Sequence, residues 1–131
     1  MTTRTSFTGI SPIFPVADLE AALAHYAQLG FDVHVAGELV EDADYGFASR
    51  DGLSLHLTAR ADYYPNARVS VAYVHVADAD ALAAEWDRPG IGGETNPPID
   101  TPWRMREGTH FDPDGNLLRF GSPVVSVAPG G

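Results

Sequence analysis

The residue types that can carry chemistry are few in this chain, and their spacing narrows them further. Cysteine is absent, which removes disulfides, thiolate metal sites and cysteine nucleophiles together. All eight basic residues are arginines, so no lysine can form a Schiff base. Five histidines remain, and His56 is the one set in a pattern. It stands between Ser54 and Thr58 on the polar face of Leu53-Ser-Leu-His-Leu-Thr58, an alternation that makes a half-buried strand. One neutral imidazole does not hold a divalent ion, which needs several donors converging on a point. His56 therefore reads either as lining a cavity with Ser54 and Thr58 or as a hydrogen-bonded strand histidine. His34 and His110 have no spacing that ties them to a site, and His25 is expected on a helix surface. Asp112-x-Asp114-Gly115 opens like a calcium loop, but no acidic residue follows at the required spacing, so a turn is expected. Gly90-Ile-Gly-Gly93 lacks the helix and lysine of a phosphate-binding loop. Nothing positions a Ser-His-Asp set.

Aromatic and acidic side chains offer binding rather than reaction. Trp103 lies beside Pro102 and Arg104, off any periodic apolar face, and reads as a stacking wall for a planar ligand or as loop packing. Trp86, in a helical pattern with Leu82 and Ala83, reads as core. Tyr73 alternates with Val71 and His75, so the three share a strand face; the tyrosine lines a groove or is buried with a satisfied hydroxyl. Tyr45 and Phe47 begin another strand, just after Glu38, Glu41, Asp42 and Asp44. That acidic run is either a solvated loop or a steering site for a cationic ligand. The net charge of −10 opposes nucleic acid and anionic membrane as partners, and suits a cationic ligand or simple solubility.

The elements that must position these residues follow from periodicity and punctuation. At 131 residues one domain is expected. Residues 1–8 are polar and irregular, and Ile10 to Val16 is strand-like, with Pro12 and Pro15 marking an edge or a bend where the strand leaves one body for another. A helix over about 18–29 is expected from an Asp18 cap, apolar residues at helical spacing and Gly30 as its stop. Strands are expected at Phe31–Val35, Tyr45–Ser49 and, after the Asp51-Gly52 turn, 53–58. Ala59 to Ala67 joins the halves. Val69–Val76 is a strand, and Asp78 caps a second helix that ends at Pro89-Gly90. A short strand at Ile91–Glu94 and a proline loop from Asn96 to Pro102 come next. Arg104–Asp112 and Asn116–Phe120 then form a hairpin about Asp114-Gly115, and the end of the chain is loose. No signal-like or membrane-length apolar run is present, so the expected location is cytoplasmic.

These elements repeat. Val16-Ala17-Asp18 returns as Val76-Ala77-Asp78, and at the same offset Ala21, Ala24, Tyr26 and Gly30 meet Ala81, Ala84, Trp86 and Gly90. Both halves also carry an Asp-Gly turn before their last strand. With Leu29-Gly30-Phe31 after the first helix and Asp112-Pro-Asp-Gly-Asn116 before the last strand, the chain resembles the vicinal-oxygen-chelate superfamily, the glyoxalase, bleomycin-resistance and extradiol-dioxygenase group. The resemblance implies an α/β (α+β) fold of two tandem βαβββ modules whose curved sheets form a cup. Module one would cover about 8–60, module two about 68–121, with 122–131 as tail.

Metal enzymes of that group place one ligand on each of four cup strands. The matching positions here are Ser11, His56, Val71 and Arg119. An aliphatic chain and a permanent cation cannot ligate a cation, so no protein-held metal and no catalytic residue are expected. The resemblance then points to the bleomycin-resistance proteins, through Pro12, Pro102-Trp103 with Arg106-Glu107, and Arg50-Asp51-Gly52. It implies a homodimer with exchanged N-terminal strands that sequesters a cationic, metal-chelating glycopeptide antibiotic without modifying it. No cofactor is expected beyond a metal carried by the ligand. The implied ligand contacts are Trp103, Tyr73, Tyr45, His56, Thr58, Asp44 and Phe47. The alternatives are a divergent glyoxalase-like lyase or isomerase with a displaced metal, and a binder of another antibiotic.

Overall fold

Each helix begins where the repeat places an aspartate. Asp18 accepts the Ala21 N–H at 2.9 Å and opens α1 (Leu19–Gln28); Asp78 accepts the Ala81 N–H at 3.0 Å and opens α2 (Ala79–Trp86). Both cap residues have extended backbone, and Gly30 takes φ 91° beyond α1, where a side chain would be strained. Asp78→Ala should lower the unfolding free energy by about 1 kcal/mol in urea titrations.

A computed structural model describes residues 4–37, 44–60 and 69–124. Its strands are β1 (Ile13–Pro15), β2 (Asp32–Val35), β3 (Tyr45–Arg50), β4 (Leu53–Thr58), β5 (Val71–His75), β6 (Glu94–Asp100), β7 (Met105–Phe111) and β8 (Leu117–Pro123). They form two sheets of matching order, β1-β4-β3-β2 and β5-β8-β7-β6. In each, the first strand runs parallel to the last strand of its module, and the remaining neighbours are antiparallel. The two βαβββ modules of the sequence repeat are thus present.

One face of each sheet is apolar and turns inward. Leu55 and Leu57 from β4, Leu118 and Phe120 from β8, and Tyr26, Leu29 and Trp86 from the helices make one buried core across both modules. Trp86 donates its indole N–H to the Leu29 carbonyl at 3.0 Å, and Arg50 spans that carbonyl and Glu85. At the sheet edges Asn116 donates to the Pro15 carbonyl and Ser70 to that of Ile13. The helix-covered faces therefore pack together, and the extensive strand contacts all lie within a sheet. The opposite faces stay open, so the two halves of a cup are not closed on each other within one chain.

Several expectations need correction. The proline loop expected from Asn96 to Pro102 is largely strand, since β6 includes Pro97 and Pro98. It is an edge strand with a register shift between Asn96 and Ile99, where missing N–H groups disturb no ladder. The last strand continues to Pro123, and Ser122 is buried and accepts the Ala79 N–H at 3.0 Å, so residues 122 and 123 belong to β8 rather than to a tail; residues 125–131 lie outside the described residues. β1 is shorter than Ile10–Val16, and Ile10 and Phe7 are almost fully exposed. His25 is not on the surface: it is 5% exposed and shares a 2.9 Å hydrogen bond with His110 of β7. Glu38, Glu41, Asp42 and most of the connector between the modules lie outside the described residues. Among the described residues no helix is long and apolar enough to cross a membrane.

Candidate functional site

The open face of the second sheet carries a tight polar-aromatic cluster. Strand alternation puts Glu107 of β7 on this face, level with Gly121 of β8 and His75 of β5, while Tyr73 pairs with Arg119. Trp103 stands in the turn that joins β6 to β7, a turn closed by the Thr101 N–H to Met105 carbonyl bond. Both the Trp103 indole N–H and the Tyr73 hydroxyl donate to Glu107 Oε2 at 2.9 Å, and Arg119 donates to Oε1 at 3.3 Å. Glu107 is 7% exposed, whereas Trp103 is 62% exposed and Tyr73 38%. The bond from Trp103, followed by those from Tyr73 and Arg119, holds the Glu107 carboxyl below its ordinary pKa against the effect of burial. Burial, then the bond to this carboxylate, pushes the Tyr73 phenol up. The cluster is an anion and a cation joined to two neutral donors, and it leaves the indole face outward.

Gly121 makes room for it. A Cβ there would overlap the Tyr73 hydroxyl and crowd Glu107 Cγ. Gly121→Ala should push the Tyr73 ring off Glu107 and lower the unfolding free energy by about 1–3 kcal/mol in urea titrations.

The open face of the first sheet carries a different set. His34, Phe47 and His56 lie in register across β2, β3 and β4, with the Phe47 and His56 rings perpendicular at 4.8 Å. The Tyr45 hydroxyl and His56 Nδ1 are hydrogen-bonded at 2.7 Å. Asp44 pairs with Arg60 at 2.9 Å. Thr58 is 2% exposed, and its hydroxyl accepts the Arg60 N–H, so it presents little surface to a ligand. The expected contacts are therefore divided. Tyr45, Phe47, His56, Asp44 and Thr58 belong to one sheet, Tyr73 and Trp103 to the other.

The four metal-ligand positions fail as a donor set. Val71 is exposed but has no lone pair, and Arg119 is a cation already bound to Glu107. Among the described residues no three His, Asp or Glu side chains are arranged to hold a metal ion. The residues present do not fit the enzymes' metal.

Sequence reasoning missed Glu107 as the centre of the second cluster. Its signal was the alternation of β7, which sets Glu107 on the face that Tyr73 occupies. It also missed the buried polar network behind the sheets. Asp112 there accepts from the Tyr26 hydroxyl at 2.8 Å, from the Asn116 amide and from the backbone N–H groups of Asp114 and Asn116. The Asp112-Pro-Asp-Gly-Asn116 motif is thus a turn, as expected, and also a lock between α1 and the second sheet. A surface cleft of about 680 Å³ lies away from both clusters, between the end of α1 and Arg88–Ile91.

The sequence model of the Glyoxalase/Bleomycin resistance protein/Dioxygenase superfamily matches residues 9–120. A bleomycin-binding protein from the bleomycin producer Streptomyces verticillus, solved with copper(II)-bleomycin, superposes with a TM-score of 0.68 at 25% identity, covering 94% of this chain and 100% of that one. TnmS3, an antibiotic-binding protein from a Streptomyces species, gives 0.69 at 25% identity over 91% and 99%. A glyoxalase-related enzyme from Clostridium phytofermentans gives 0.75 at 19% identity over 92% and 98%, a likeness of fold alone. No curated protein sequence matches this chain. Two βαβββ modules with a family match over nearly the whole domain lead to one statement: this chain belongs to the Glyoxalase/Bleomycin resistance protein/Dioxygenase superfamily.

Proposed function

We propose that the protein binds a cationic, metal-chelating antibiotic of the bleomycin type and withholds it from its target in the cytoplasm without altering it. The observation that carries this reading is the outward-facing Trp103 and Tyr73 pair, tied to the buried carboxylate of Glu107 on an open sheet face. Such a wall suits a flat ring system, because aromatic faces stack without demanding a particular hydrogen-bond pattern. The metal-ligand positions favour holding over transforming, since Val71 and Arg119 offer no donor to a metal. The likeness to two antibiotic-binding proteins agrees with this.

The working unit is a homodimer. A second copy that sets its Tyr45, Phe47 and His56 face opposite Trp103 and Tyr73 makes one groove from the divided contacts. The exposed Phe7 and Ile10 supply an apolar arm for the partner, consistent with an exchanged N-terminal strand. The net charge of −10 draws a cationic drug toward the groove, so the association rate should fall as salt is raised.

The test is recovery. Copper(II)-bleomycin is incubated with an excess of protein, the protein is denatured, and the released drug is weighed by mass spectrometry. Full recovery at unchanged mass is expected. A mass change that grows with time would make the protein an enzyme.

A further inference from the structure

Resting on the reading of a drug-binding wall, we infer that Glu107 is a positioning residue. It fixes Trp103 and Tyr73 in advance as a rigid surface for a flat, uncharged part of the ligand, and it does not itself bind the ligand's positive charge. An indole that is 62% exposed gains little from core packing, yet its N–H is held at 2.9 Å by a carboxylate that is only 7% exposed. The same oxygen takes the Tyr73 hydroxyl from the neighbouring strand, so one atom sets the relative placement of two rings. The other oxygen is engaged at 3.3 Å by Arg119, a partly exposed cation. A positively charged ligand group at Glu107 would have to share the carboxylate with that guanidinium and with two other donors. The cluster's charges cancel locally, which leaves ring faces as its useful surface. Rings already immobilised lose less entropy on binding, and that is how the tether raises affinity.

The experiment uses the full chain labelled with 5-fluorotryptophan, whose two tryptophans give two fluorine resonances. Trp86 lies in the core and reports that each variant is folded. Glu107→Met keeps the side-chain volume and removes the acceptor; Glu107→Gln keeps a carbonyl acceptor for both donors and removes the charge. Positioning predicts that the Trp103 resonance narrows in Glu107→Met and is unchanged in Glu107→Gln. It also predicts that affinity for copper(II)-bleomycin falls about tenfold in Glu107→Met and less than about threefold in Glu107→Gln. The loss should be the same at about 50 mM and about 500 mM salt, since ring surface rather than charge is disturbed. Equal losses in both variants that shrink with salt would make Glu107 a direct charge contact and overturn the inference. An unchanged Trp103 resonance in Glu107→Met would overturn it too. If the unmutated protein fails to bind copper(II)-bleomycin, the sequestration reading falls, while the fluorine spectra still decide whether Glu107 sets the rings.

Discussion

Trp103→Ala should weaken drug binding by more than 1 kcal/mol, about a sixfold loss or greater, and leave the protein as stable as before. Trp103 and Tyr73 are the exposed rings tied to the buried Glu107 carboxylate, and the indole is the more exposed of the two. Truncating it removes the largest flat surface of the cluster and leaves Glu107 still satisfied by Tyr73 and Arg119. Because the residue is a turn side chain outside the core, no cavity forms. Isothermal titration checks the affinity and urea unfolding checks the stability. An unchanged dissociation constant puts Trp103 outside the groove.

The second large effect concerns acid. Nε2 of His25 and Nε2 of His110 lie 2.9 Å apart, and His110 Nδ1 is hydrogen-bonded to Thr95 at 2.7 Å. A bond between two imidazoles needs one donor and one acceptor, so the doubly protonated pair cannot make it. Burial, then the neighbouring His25, lowers the His110 pKa to about 4, with Asp112 opposing. Burial lowers that of His25 as well, against Asp112 and Asp114. The unfolded chain has ordinary imidazoles near 6.5, so between pH 6.5 and 4 the unfolded state binds more protons. Stability should therefore fall as pH drops through that window, by about 3 kcal/mol from His110. Urea titrations between neutral pH and pH 4 read the slope, and His25→Gln should make it shallower. A flat profile down to pH 5 would contradict the buried pair.

The sequence was most legible where a local rule had no competitor. Asp18 and Asp78 could only be caps, because each precedes an apolar helical pattern, and both are. The repeat they announce carried the whole topology. It was least legible where burial is decided by the other module. His25 follows Ala24 on what reads as a polar stripe, yet that side of α1 meets β7 rather than water. Pro97 and Pro98 argued for a loop, and only the edge position of β6 makes them compatible with a strand. For the site, Tyr73, Trp103, Tyr45, Phe47 and His56 could be named from their strands and turns. Glu107 was legible only as part of the Pro102-Trp103 and Arg106-Glu107 resemblance; its role comes from the cross-strand register that puts it beneath two rings. The division of these residues between two faces was not legible, since it depends on how the modules pack.

The proposed groove would hold a drug without a metal of its own. Calorimetric titration of metal-stripped protein with copper(II)-bleomycin tests it most directly. Saturable binding is expected at one drug per chain, with a dissociation constant of about a micromolar or tighter. Absence of heat at micromolar protein, or binding that appears only after a stoichiometric metal ion is restored to the protein, would contradict it.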